Sequence, residues 1–163
     1  MRIAKIDQSH SRDPLFPIIF SVLMASVLTV YPLSYALSGW RPTFMLVIML
    51  FWVLCQPTWC GVWFAFATGL FTDLLLDAPL GLNALAFVLI TFISRYFTRE
   101  RRVMTFMNLW IITILSVIAY LTFVFLVLIL SGTDFVFTRH WAPLLPTIIM
   151  WPLIYYVLKR WRI

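Results

Sequence analysis

The sequence predicts an all-α integral membrane protein, a bundle of six transmembrane helices with both termini in the cytoplasm. Three observations carry this. Hydrophobic residues make up 63% of the 163 residues and charged ones only 11%, with a mean hydropathy of +0.99, so polar side chains are too few to cover a water-soluble globule. The apolar residues fall in long unbroken runs without period-two alternation, which rejects barrel strands, and helices are then the only spans that satisfy their own backbone in hydrocarbon. The charges gather between the runs and at the chain ends.

Met1 to Pro14 reads as a short polar cytoplasmic tail, residues 15–158 as one transmembrane domain, and residues 159–163 as a basic cytoplasmic tail. The first run, Leu15 to Leu37, is longer than the apolar region of a signal peptide and ends at Tyr35-Ala36-Leu37-Ser38 without a small-x-small cleavage site, so it reads as a retained helix. The second, Pro42 to Gln56, is short: a thin span, a re-entrant dip, or half of a hairpin with the third through Gln56-Pro57-Thr58. The third, Thr58 to Leu76, sets Gly61, Ala65, Thr68 and Gly69 at helical spacing, where a neighbouring backbone can come close. Gly81, after Pro79, opens the fourth run, Leu80 to Phe97. The fifth is Phe106 to Leu130. The sixth, Trp141 to Leu158, contains Pro143, Pro146 and Pro152, which should bend it. All but the second reach roughly the 17 to 25 residues a spanning helix needs.

Charge bias settles the second run and the orientation together. With six spans and a cytoplasmic N-terminus, Arg2, Lys5, Arg12, Arg95, Arg99, Arg101, Arg102, Lys159, Arg160 and Arg162 lie inside, and only Arg41 and Arg139 outside, ten against two. If the second run merely dips, the better orientation gives eight against four. The positive-inside rule favours six spans. Trp40, Trp59, Trp110, Trp141 and Trp161 then fall near span ends as interfacial anchors, with Trp52, Trp63 and Trp151 deeper.

Several function classes are disfavoured. The net charge of +6 sits just inside the membrane, where anionic lipid head groups are its partner, and does not indicate a nucleic-acid surface. Cys55 and Cys60 flank a cytoplasmic turn and should stay reduced, while His10 and His140 fall on opposite sides of the membrane, so no metal set is expected. No HExxH, GxSxG or glycine-rich phosphate loop occurs, and no cofactor motif. The chain does not read as an enzyme.

Between Arg41 and Arg95 the only formal charges are Asp73 and Asp77, one helical turn apart on one helix. Charge at membrane depth is costly, so these carboxylates are where function should leave its mark. Arg41 is on the same outer side, and an ion pair from Asp73 or Asp77 to Arg41 would lower that cost. Asp77, beside Pro79, reads as a solvated loop residue. For Asp73 two readings stay open, an internal polar contact or a site for a partner or ligand.

Trp40-Arg41-Pro42 leading into an apolar helix, then Gly69-x3-Asp73, then Leu80-Gly81 at the next hairpin, all within six short-looped spans, resemble the MreD family of rod shape-determining membrane proteins. The likeness covers nearly the whole chain. It departs at Asp77-Ala78-Pro79, where many members have a small residue or glycine. The resemblance implies a non-enzymatic protein of the bacterial inner membrane, acting in the cell-elongation machinery with MreC, the actin-like MreB, the glycosyltransferase RodA and a penicillin-binding transpeptidase. Arg41, Pro42, Gly69, Asp73, Asp77 and Gly81 become structural or partner-contact candidates. The alternative reading is a small transporter subunit resembling the substrate-binding components of energy-coupling-factor vitamin transporters. It needs several convergent polar groups in one pocket, and the sequence offers few.

Overall fold

The computed structural model describes residues 15–32, 40–99, 105–132 and 140–162. Within them lie six helices and no strand: α1 Leu15–Val30, α2 Phe44–Cys55, α3 Val62–Leu75, α4 Leu82–Arg99, α5 Phe106–Leu130 and α6 Leu144–Arg162. The tail Met1 to Pro14, the end of the first run, His10, Arg101, Arg102 and Arg139 lie outside the described residues. Successive helices run in alternating directions, as the contacts at the two ends show. Arg41, just before α2, bonds carbonyls at the end of α1; Thr43 meets Thr147 near the start of α6; and Arg95, late in α4, donates to the Pro57 carbonyl between α2 and α3 at 2.7 Å.

The second helix is the axis of the bundle. Phe44 to Leu54 are all buried, and α2 packs against each of the other five helices. A helix that is apolar on every face is stable only where every face is covered. Its 12 residues span about 18 Å, short of the roughly 30 Å of a hydrocarbon core. Such a length suits a helix whose ends meet protein. The Thr43 N–H donates to Thr147 Oγ1 at 3.1 Å, and Cys60, in the turn after α2, is buried.

Around this axis the usual polarity is inverted. Ser21, Thr29, Thr68, Thr72, Thr91, Ser94, Thr113 and Ser116 are buried, while Phe16, Ile19, Leu74, Leu85, Leu115 and Ile149 are exposed. The buried hydroxyls are satisfied locally or across a helix pair. Thr29, Thr68, Thr72 and Thr113 donate to the carbonyl four residues earlier, Ser94 and Ser116 share a 3.0 Å bond between α4 and α5, and Trp52 Nε1 donates to Ser21 Oγ at 2.8 Å between α2 and α1.

Some expectations shift. Among the described residues one helix, α5, is long and apolar enough by itself to cross a membrane, and α1 to α4 are shorter apolar helices. The third helix starts at Val62 because the N–H groups of Trp59 and Cys60 turn back onto the Gln56 carbonyl. Trp63, expected deep, is 85% exposed in the first turn of α3, whereas Trp52 and Trp151 are buried. Of the three prolines expected to bend the sixth helix, only Pro152 is interior; Pro143 precedes the helix and Pro146 falls in its first turn, where a missing N–H costs nothing. The helix continues through Lys159 and Arg160, where a separate tail was expected.

Candidate functional site

The most closely packed pair is α3 with α4, and Gly69 explains why. A Cβ on Gly69 would stand 2.5 Å from the Ala84 Cα and 2.7 Å from the Asn83 carbonyl oxygen, closer than any side chain tolerates against backbone. Only glycine lets the two backbones meet there. Asp73 is one turn further along, on the same face, so its side chain is carried to the first turn of α4. Of the small residues expected to make this seam, Ala65, Thr68 and Gly69 are buried in it, but Gly61 has open space around it and sits before the helix as its N-cap.

The Asp73 carboxylate is 0% exposed and accepts four N–H groups. Oδ1 takes the Asn83 backbone N–H and the Asn83 side-chain amide, each at 2.9 Å; Oδ2 takes the Gly81 N–H at 2.9 Å and the Ala84 N–H at 3.4 Å. A carboxylate offers about four lone-pair sites, so this one is filled. Three of the donors are backbone groups of the first turn of α4, which have no partner inside their own helix. The residue in the N-cap position, Gly81, whose carbonyl accepts the Leu85 N–H, has no side chain with which to cap them. Asp73 therefore caps α4 from the preceding helix, placing its negative charge at the positive end of the α4 dipole.

The two candidate hairpin residues are fixed by backbone shape. Gly81 has φ +101°, a conformation that suits glycine alone. Asp77 has φ 50°, and next to it the Ala78 N–H reaches back to the Asp73 carbonyl at 3.0 Å, the pattern of a helix end closed by one left-handed residue. Asp77 is exposed and occupies the place glycine usually takes, consistent with a solvated loop carboxylate.

Two residues that the sequence reading passed over complete the cluster. Asn83 accepts a 2.6 Å bond from the Tyr120 hydroxyl on its Oδ1, so the chain Asp73–Asn83–Tyr120 ties α3 to α4 and α5. Asn83 carried a signal of its own, as the one amide in the otherwise apolar stretch from Ala78 to Ile90, and Tyr120 carried none. The expected ion pair from Arg41 is not formed. Its guanidinium donates through Nη1 to the Thr29 carbonyl and through Nη2 to the Tyr31 carbonyl at 2.9 Å, neutralising the negative end of α1. Helix-end carbonyls lie nearer to it than either carboxylate. Pro42 precedes α2, with Thr43 between them as the N-cap.

Among the described residues no three histidine, cysteine, aspartate or glutamate side chains gather as a metal set, and Cys55 and Cys60 are not joined in a disulfide. The saturated, sealed carboxylate at the centre of the cluster is built to hold a hairpin.

The family model for rod shape-determining protein MreD matches residues 12–161. The chain is also similar to the rod shape-determining protein MreD of Haemophilus influenzae, at 26% identity over 152 residues, covering 90% of this chain and 91% of that one. No solved structure matches.

Proposed function

From its membership of the MreD family, which places the chain in rod shape determination, we propose that it is a multi-pass scaffold of the bacterial inner membrane that holds the single span of an MreC-like partner. Proteins of this family are membrane proteins, and the inverted polarity of the bundle supports six spans, with apolar side chains outward on the five helices around α2 and hydroxyls and a carboxylate inward. The charge count of ten against two supports a cytoplasmic position for both ends.

The observation that carries the scaffold reading is how little of the described chain lies outside the helices. The connections at 56–61 and 76–81 are tight turns, and the second is closed by the Asp73 lock. A protein made this way meets partners through its helix faces. In lipid such recognition rests on close packing and an occasional polar contact, because apolar burial gives no advantage over lipid tails. Through the partner the bundle would couple MreB filaments to RodA and a penicillin-binding transpeptidase, with membrane lipids covering the remaining surface.

Depletion in a rod-shaped bacterium should give round, widening cells, and exchanging only the membrane segment of the MreC-like partner should abolish co-purification. A swapped partner that still binds fully, or depleted cells that keep their shape while losing uptake of a vitamin, would replace the scaffold reading with the transporter one.

A further inference from the structure

At the end of the bundle where Arg41 lies, a cavity of about 120 Å³, open on one side, lies between α1, α2, α3, α4 and α5. Its walls are mostly apolar, from Phe44, Met45 and Leu46 on α2, Leu76 after α3 and Phe87 on α4. Its polar groups are Arg41, Thr29, Thr43, Thr72 and the Tyr120 hydroxyl.

Nearly every hydroxyl proton among these is already committed. Thr29 donates to the Ala25 carbonyl, Thr72 to the Thr68 carbonyl and Tyr120 to Asn83. Thr147 donates to the Pro143 carbonyl, so in the 3.4 Å contact between Thr43 and Thr147 the proton is the one from Thr43. Arg41 differs. A guanidinium has five N–H groups, two go to α1 carbonyls, and the Nε–H is buried with no partner. The crevice thus offers a cationic donor at one edge and an apolar floor. An anion with an apolar tail fits this. A soluble, many-sided polar ligand does not, because such a ligand needs several convergent polar groups.

We propose that this crevice binds one anionic phospholipid, its phosphate on the Arg41 guanidinium and an acyl chain along Phe44, Leu76 and Phe87. Guanidinium and phosphate form charge-assisted bonds of the strong class, and the N–H groups that Nη1 and Nη2 do not spend on α1 carbonyls would donate to the bound phosphate. Because Tyr120 and Thr72 line the same crevice, the lipid would rest against the α3–α5 side of the lock, pinning α1 and α2 to it. The inference rests on the reading of the chain as a membrane bundle and is independent of the MreC-like partner.

The full chain is purified in detergent, mixed with equal phosphatidylglycerol and phosphatidylcholine, and analysed by native mass spectrometry for retained lipid. Wild type should keep one phosphatidylglycerol in preference to phosphatidylcholine, whose choline cation offsets the phosphate charge beside Arg41, by about tenfold. Arg41→Gln should lose that preference. Leu76→Trp, which fills the crevice and leaves the Arg41 bonds in place, should lose the bound lipid while the protein stays folded by tryptophan fluorescence. Equal retention of the two lipids by wild type overturns the proposal, as does unchanged preference in both variants. Inorganic phosphate alone raising the unfolding temperature of lipid-free wild type as much as phosphatidylglycerol does would make this a free-anion site and equally overturns it. Alkaline carbonate extraction of wild-type membranes tests the membrane reading separately: protein released into the supernatant sinks that reading, whereas retained protein without lipid preference sinks only the crevice.

Discussion

Replacing Asp73 by leucine should be among the most damaging single changes this chain can suffer, out of proportion to the loss of one exposed charge. The substitution keeps the number and branching of side-chain heavy atoms and replaces both oxygens with bulkier methyl groups. It strands the backbone N–H groups of Gly81, Asn83 and Ala84 and the Asn83 side-chain amide in a region 0% exposed at its centre. A buried donor left unpaired costs about 1 to 3 kcal/mol. Counting only the three 2.9 Å contacts, and adding the lost anion at a helix N-terminus, the total is on the order of 5 kcal/mol. That is comparable with the whole stability of many folded domains. Asp73→Asn should cost less, about 2 to 3 kcal/mol, because one oxygen can still accept from Asn83 while its new amide group faces the Gly81 and Ala84 donors. For a chain of this size that is a fall in unfolding temperature of roughly 5 to 10 °C. The assay is thermal unfolding of the detergent-solubilised protein followed by tryptophan fluorescence, with hydrogen exchange resolved at residues 81 to 84. Asp73→Asn should lose amide protection first at Gly81 and Ala84. An Asp73→Leu protein that unfolds at the wild-type temperature with those amides still protected would refute the capping argument.

Gly69→Ala should destabilise by about 1 to 3 kcal/mol, since its methyl would stand 2.5 Å from the Ala84 Cα, and a bulkier Gly69→Val should do worse; unfolding temperature in the same detergent reads both. Asp77→Gly should raise stability by about 0.5 to 1 kcal/mol, because Asp77 holds φ 50°, and Asp77→Ala should lie close to wild type, far above Asp73→Leu in protein level. Tyr120→Phe should lose about 1 kcal/mol through its bond to Asn83 while keeping the ring contact with Phe87, seen as a modest fall in the unfolding midpoint. Cytoplasmic reporters should be active at the N-terminus, near Arg101 and at the C-terminus, and periplasmic reporters near Ser38 and Thr133; a periplasmic signal near Arg101 would sink the six-span arrangement.

The sequence alone carried the helical class, because hydropathy and the lack of alternation are properties summed residue by residue. It located the elements for the same reason: α5 has the expected bounds, and α4 begins and ends within two residues of the run that announced it. It singled out Asp73, Gly69 and Gly81 because charge and glycine are conspicuous in an apolar background. What it could not determine is where a side chain's bonds go, because that depends on which elements lie side by side. Arg41 and Asp73, opposite charges on the same side, look like partners on paper, yet the ends of α1 and α4 present carbonyls and N–H groups nearer to each, and a helix terminus takes the charge instead. Trp63 and Trp52 are both tryptophans inside apolar runs. Only packing made one 85% exposed and the other buried, since burial depends on what covers a face. The short second run shows the same division: its uniform apolarity said that every face needed cover, and the tertiary structure alone supplied five neighbours, which is why twelve residues suffice at the axis of the bundle.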